Sequence, residues 1–414
     1  MNKPCRKVHY AWMIAAACFA MFFATYGLTN NSNNLYVVPI TKSLGVGRGA
    51  FSLMFSVKFA VQCVLTMLFG WFSSRLGSRK MIVAGFLLLI GACLVISMAE
   101  GLALVYLGGA LLGAGMAFAS LNVVTVLLRS WFSAHRGLVI GVVMASTGLG
   151  GAVFSPIVGY WITQWGWRAA YRLAALILAA VGAVFISVIR EGPADCGLSP
   201  LGSAAEGPEQ AFQPSCESGL TLAEAAKTPY FYGCVILAFL FGALNNPVHG
   251  SVPAFLTDSG FSLSFAASVS GALFFGLACA KVLLGAAYDR LGACRATAMC
   301  LIANFTGLIL LACVRHAWQA WLFALVFAVS IPLETVSMSM LASSLFGRRE
   351  YRTFLGILTA GCQMGIAVGN PLLNYSYDLT GSYRNAYLSM AALSLATLAL
   401  FLTIMKKALK ISGE

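Results

Sequence analysis

Three charged side chains fall inside stretches otherwise apolar enough to span a membrane: Lys58, Lys281 and Glu334. An ionised group in mid-helix costs about 2.5–3.5 kcal/mol on insertion scales, so each must face a wet cavity or a partner. A buried ammonium can bind a carboxylate, and a buried carboxyl group can take up and release a proton. Lys281 lies four positions before Gly285, one turn deeper in the same helix. It reads as an anion ligand, or as a partner of Glu334 or a carbonyl that only steadies a bundle. Lys58 is a second anion-binding cation, as a dicarboxylate would require, or it snorkels to the membrane surface. Glu334 carries a coupling proton or stays the permanent partner of one lysine. Neutral amides form a second layer, since an asparagine can donate to a carboxylate. Asn30, Asn31, Asn33 and Asn34 are matched further along by Asn245 and Asn246. For Asn33 and Asn34 an outer gate or loop is the stronger reading. Asn122 and Gln363 line a cavity or join helices by hydrogen bonds. Arg129 reads as a gate or topology residue, and His249 carries no assignment.

The elements that must position these groups are membrane helices. The 414 residues are 60% hydrophobic and 9% charged, and no soluble protein of this length has that balance. The runs near 11–28, 81–98, 102–128, 173–189, 233–244, 298–314 and 385–405 approach or reach the length that crosses hydrocarbon. Splitting at the loops predicts twelve helices: 10–37, 48–73, 79–99, 102–131, 137–163, 168–190, 229–257, 263–290, 294–314, 317–345, 351–378 and 383–408. The first six repeat as the second six at an offset of 215. Gly70, Arg75, Leu76 and Gly77 pair with Gly285, Arg290, Leu291 and Gly292. Gly27, Asn30 and Asn31 pair with Gly242, Asn245 and Asn246, and Gly45 with Gly260. Gly141, Gly150, Pro156, Tyr160 and Gly166 pair with Gly356, Gly365, Pro371, Tyr375 and Gly381. The fold class is therefore an all-α membrane protein of two pseudo-symmetric six-helix halves, 1–190 and 229–414. Parallel repeats of this kind are a transporter signature, with the ligand between the repeats.

The hydrophilic stretch 191–228 contains Pro193, Pro200, Pro208 and Pro214 and reads as a cytoplasmic linker, with 220–227 as a candidate short surface helix. With the N-terminus inside, eighteen Lys and Arg fall in inner segments and six in outer loops, which places both termini in the cytoplasm. The net charge of +13 is then a topology signal and not a nucleic-acid surface. The basic start from Lys3 to Lys7 precedes a helix too long for a signal peptide, so that helix is expected to be retained. Twelve cysteines without a CxxC pair read as small apolar residues at helix contacts. No metal or cofactor spacing and no catalytic constellation is present, so an enzyme is not expected.

Gly70-x-x-x-Ser74-Arg75-x-Gly77-x-Arg79-Lys80 and Gly285-x-x-x-Asp289-Arg290-x-Gly292 resemble the loop motif of the major facilitator superfamily. The resemblance implies gating roles for Arg75, Asp289 and Arg290; Ser74 stands where the motif carries an acid. The stretch from Trp131 to Gly148, with Arg136, Gly141, Ala145, Ser146 and Thr147, is similar to the fourth-to-fifth helix signature of monocarboxylate and oxalate/formate transporters. Leu333-Glu334-Thr335, Pro371-Leu372-Leu373 and the run from Tyr377 to Tyr383 resemble the same group. That group carries an arginine at the position of Lys281 which binds the substrate carboxylate, so the resemblance implies this role for Lys281. It carries an aspartate four residues earlier, where this chain has Leu277, and often a lysine near Asn31.

The expectation is a secondary transporter of a small organic anion, a mono- or dicarboxylate, with Lys281, Lys58, Asn31, Asn122, Asn245 and Asn246 as substrate residues and Glu334 in proton coupling. Arg75, Asp289, Arg290 and Arg129 would gate. It would work by alternating access as proton symport or anion exchange, as a monomer in the plasma (inner) membrane, its partners being the anion, protons or a counter-anion, and the bilayer. The alternatives are proton-driven efflux of an amphipathic compound, centred on Glu334, and a receptor built on the same fold. The receptor would need a sizeable soluble signalling segment, and the linker is short.

Overall fold

Hydrocarbon offers main-chain groups no partner, so apolar spans must satisfy their hydrogen bonds internally and become helices. The computed structural model describes residues 9–132, 136–193, 197–201, 220–347 and 349–412, with side chains described except at 69, 70, 73, 74, 121, 122, 129, 136–138, 282, 285, 286, 289, 339, 343, 351, 352 and 407–412. The helices are α1 (Tyr10–Tyr26), α2 (Val37–Leu44), α3 (Arg48–Met67), α4 (Phe69–Ser97), α5 (Leu102–Phe118), α6 (Leu121–Trp131) and α7 (Arg136–Val188). They continue as α8 (Leu222–Ala225), α9 (Pro229–Asp258), α10 (Leu263–Ala312), α11 (Ala317–Ala328), α12 (Val336–Phe346), α13 (Tyr351–Thr380) and α14 (Arg384–Ser412). Among the described residues, eleven stretches are long and apolar enough to cross a membrane, and the one of 50 residues folds back at Gly166, which makes twelve crossings. An even number returns the chain to the end where it began. The turns at Gly77 and Gly292 lie at that terminal end, and those at Gly45, Gly166, Gly260 and Gly381 at the distal end.

The 215-residue register is visible in the backbone itself. Gly45 and Gly260, Gly77 and Gly292, and Gly166 and Gly381 all have positive φ, between 65° and 90°. Gly77 (φ 74°, ψ 163°) and Gly292 (φ 78°, ψ 165°) adopt one conformation, in a region essentially closed to residues with a Cβ. Each reverses the chain in a single step, so that α4 and α10 each contain the turn between two crossings.

Within each half, glycine brings two crossings together. A Cβ at Gly150 would strike the Phe23 carbonyl of α1, and one at Gly365 would strike the Phe239 carbonyl of α9. Between the halves, α7 packs on α10 and α3 on α13. Gly148 meets Phe274 and Ala278, and Gly271 meets Ala152 and Pro156. Ser56 of α3 donates to the Ala367 carbonyl of α13 at 2.5 Å. The first half is filled by one apolar core that includes Phe22, Phe51, Phe86 and Trp131. Two clusters, around Phe327 and around Phe354, fill the second.

The expected linker lies mostly outside the described residues. Its last part forms α8, closed by a Thr221–Glu224 capping box, and docks through the Leu222 amide on Glu350 at 2.8 Å. Four crossings depart from the continuous helices predicted. The first helix, read as 10–37, stops being α-helical at Tyr26; the second, read as 48–73, is split at Leu68; the fourth, read as 102–131, is broken between Phe118 and Leu121; and the tenth, read as 317–345, is interrupted between Ala328 and Val336.

Candidate functional site

Apart from the split at Leu68, the interruptions coincide with the charged and amide side chains. After α1 the chain takes one π-helical turn, Gly27–Asn31, and then a 3₁₀ turn, Asn33–Tyr36. The Ser32 amide closes the π turn on the Gly27 carbonyl at 3.2 Å, and the Ser32 hydroxyl donates to the same oxygen at 2.7 Å. Such turns unwind the ladder locally and re-aim the side chains they carry. The fourth crossing breaks at Ala119 and Ser120, between α5 and α6. The tenth breaks in the 3₁₀ turn Ile331–Glu334. Glu334 stands 215 residues after Ala119, so both halves break here and only one break holds an acid.

One hydrogen-bonded chain connects the two lysines. Lys58, 1% exposed, donates to Asn30 Oδ1 at 2.7 Å and reaches the Thr29 carbonyl at 3.5 Å. Its ammonium is thus held inside the first half and does not snorkel. Asn30 donates to Asn31 Oδ1 at 3.3 Å, and Asn31 Nδ2 donates to the Thr147 carbonyl at 2.8 Å. Lys281 Nζ completes the series by donating to Thr147 Oγ1 at 3.3 Å. Every member except Lys281 belongs to the first half, so within this chain only the last bond crosses the seam.

Among the described residues neither lysine has a carboxylate at ion-pair distance, and the ion pair there is Arg48–Asp258. Glu334 is near enough for its charge to act on Lys281, and it lies against Asn246, with Oε1 buried and unpartnered. Asn246 in turn accepts from Asn370 Nδ2 at 3.1 Å. Asn245 is placed differently. Its Oδ1 accepts from Asn304 at 3.1 Å and Ser330 at 2.9 Å, and its Nδ2 donates to the Phe241 carbonyl at 3.1 Å. Fully buried, it ties α9, α10 and the tenth crossing together and stands apart from the lysine chain. Asn33 likewise binds within its own half, accepting from Tyr171 at 2.6 Å. His249 is buried one turn beyond Asn246, edge-on to Phe274, with Nδ1 unpartnered.

The sequence profile of the Major Facilitator Superfamily matches residues 17–331 and, in an overlapping second match, 235–412. The chain belongs to that superfamily. As a facilitator it is a multi-pass integral membrane protein of a transporter family. It is 25% identical over 403 residues to bovine (Bos taurus) monocarboxylate transporter 13, covering 95% of this chain and 89% of the relative. It is 24% identical to mouse (Mus musculus) monocarboxylate transporter 11, over 92% of this chain and 84% of that one. The riboflavin transporter RibJ of Trypanosoma brucei brucei is 28% identical over 44% of this chain, and the match spans about a third of its own length, 34%. In fold the facilitator is similar to the nucleoside transporter NupG, with TM-score 0.74, 13% identity and coverage of 96% of this chain and 100% of that one. It is similar also to a bacterial homologue of the lysosomal transporter Spinster, with TM-score 0.75, 12% identity and 98% of both chains.

Of the residues that the superfamily's loop motif marked for gating, Arg75 lies over the ring of Trp71 at 4.5 Å and Arg290 is exposed. Asp289, Arg129 and the expected substrate residue Asn122 lie outside the described side chains. Sequence reasoning gave Thr147 no role of its own, although it supplies both the carbonyl that holds Asn31 and the hydroxyl that holds Lys281. Its signal was its place in the Ala145–Gly148 stretch.

Proposed function

We propose that this facilitator is a secondary transporter of a small organic anion, a mono- or dicarboxylate, working by alternating access between its halves. The observation that carries this is the Lys281 ammonium at the seam, held by one neutral hydroxyl with no carboxylate in contact among the described side chains. A half-buried cation inside a membrane span in that state gains from an anionic ligand what its surroundings do not supply. Lys58, Asn31 and Asn246 complete the proposed substrate shell, and Asn245 supports it as a structural node. Glu334 is the proposed site of proton coupling, with anion exchange as the other mode. The monocarboxylate transporters among the relatives, aligned over most of their length, support the substrate class. The excess of basic residues in inner segments supports cytoplasmic termini; the proposed setting is the plasma (inner) membrane, for a protein acting as a monomer without catalytic chemistry.

The test is counterflow in proteoliposomes preloaded with unlabelled lactate, pyruvate, oxalate or malate. Labelled carboxylate is expected to accumulate transiently in at least one case. Counterflow of riboflavin with none of any carboxylate would overturn the reading. Glu334→Gln should leave carboxylate exchange in place and remove accumulation driven by an imposed pH gradient. Accumulation at the wild-type level in that variant would remove Glu334 from the coupling step.

A further inference from the structure

A set of charged contacts ties the two halves at the distal end, away from the loop motif. Arg48 opens α3 in the first half, and Asp258 closes α9 in the second. The Arg48 guanidinium forms a two-pronged pair with Asp258, Nη1 to Oδ2 at 2.5 Å and Nη2 to Oδ1 at 2.7 Å. The geometry is the parallel fork that makes arginine–carboxylate pairs strong and directional. The guanidinium also stacks on the Tyr377 ring of α13, 4.0 Å from its centroid, and Nη1 donates to the Tyr383 hydroxyl at 3.4 Å. Arg48 is 7% exposed, unusual for an arginine at a helix start.

A second carboxylate grips the same helix end. The N-cap of α3 is Gly47, which has no side chain to satisfy the first free amides. Asp378, near the end of α13, does so from the other half, accepting from the Arg48 amide at 3.0 Å and the Gly49 amide at 2.7 Å. A carboxylate at a helix N-terminus is favoured by both hydrogen bonding and the helix dipole. Glycine makes the approach possible: a Cβ at Gly47 would sit 2.7 Å from Asp378 Oδ2, and one at Gly49 would strike the Tyr375 ring. All the donors sit on one half and both carboxylates on the other. The halves cannot separate at this end without breaking the whole set.

We propose that Arg48, Asp258, Asp378 and Tyr377 form a gate lock that holds the distal mouth shut and must release for the site to open there. The lock rests on the alternating-access reading. With the proposed topology it faces the cell exterior.

Two measurements test it, and the first needs no substrate. Spin-label pairs at Lys42→Cys and Ser259→Cys, in a chain whose native cysteines are replaced, report the separation of the halves at this end. Asp258→Asn combined with Asp378→Asn should add a longer-distance population, and the exchanged pair Arg48→Asp with Asp258→Arg should move the distribution back toward that of the parent. Distances that match the parent in the loosened variant would overturn the proposal, even if its melting temperature fell. In the second, an Arg48→Cys, Asp258→Cys chain cross-linked across the lock should lose the counterflow that the wild type shows and regain it on reduction. Undiminished counterflow in the cross-linked protein would overturn the lock while leaving the substrate reading intact. Absence of any counterflow in the wild type would strike the substrate reading instead and leave the distance measurement to decide the lock.

Discussion

Lys281→Gln should reduce carboxylate uptake by roughly thirtyfold to a few thousandfold while the protein still inserts and purifies normally. Losing the cation from a desolvated charge pair costs about 2–5 kcal/mol, and each 1.4 kcal/mol is tenfold in affinity. Stability should move little or even rise, because the ammonium has a single neutral hydrogen-bond partner and its partial burial is a standing cost. The two effects therefore separate: initial uptake rates in liposomes collapse while the melting temperature holds. Lys281→Arg keeps the charge and should retain part of the activity. Wild-type uptake by Lys281→Gln would show that the seam ammonium does not bind the anion.

The second large effect is on folding. Gly365→Leu should prevent recovery of folded protein, and Gly365→Ala should lower the melting temperature clearly, since the new Cβ is driven into the Phe239 carbonyl of α9. Overpacking in a rigid contact costs about 1–3 kcal/mol and often more where the neighbour is backbone. Gly150→Ala should behave alike, because the same crossing is repeated with the Phe23 carbonyl. Gly141 and Gly356 are the internal control, a pair in the same register whose added Cβ meets nothing within 4 Å. Alanine there should be neutral or stabilising by up to about 1 kcal/mol, from helix propensity alone. Melting curves by size-exclusion recovery distinguish the pairs, and equal tolerance at all four positions would refute the packing account.

Much of this architecture was legible because it rests on local demands. Gly77 and Gly292 were recognisable as turns since only glycine fits their conformation, and the offset that joins them also joins Gly150 to Gly365, which make the same close contact in the two halves. Lys58, Lys281 and Glu334 stood out because a charge in an apolar run has to be justified. What escaped was everything decided by the partner helix. Nothing in the residues from Gly27 to Asn31 announces a π turn, since its stability comes from packing around it. Asn245 and Asn31 look alike in sequence as members of matched pairs, yet one is saturated by Asn304 and Ser330 and the other points along the lysine chain. Arg48 counts in the sequence as one more basic residue of an outer loop. Its partner Asp258 lies 210 residues away, and no spacing rule relates them.

The chain from Lys58 to Lys281 crosses between the halves at one bond, and that bond sets a cost on idling. Under the proposed alternating access, an empty protein that rocks has to strip Thr147 from an ammonium that no described carboxylate touches. Hydrogen bonds to charged groups contribute about 1.5–3 kcal/mol, which corresponds to a roughly ten- to hundredfold slower empty return. A bound anion would keep the ammonium partnered through the same movement. On the proposed reading, a carrier built in this way comes back full more readily than empty, and its leak is suppressed by the residue assigned to its cargo.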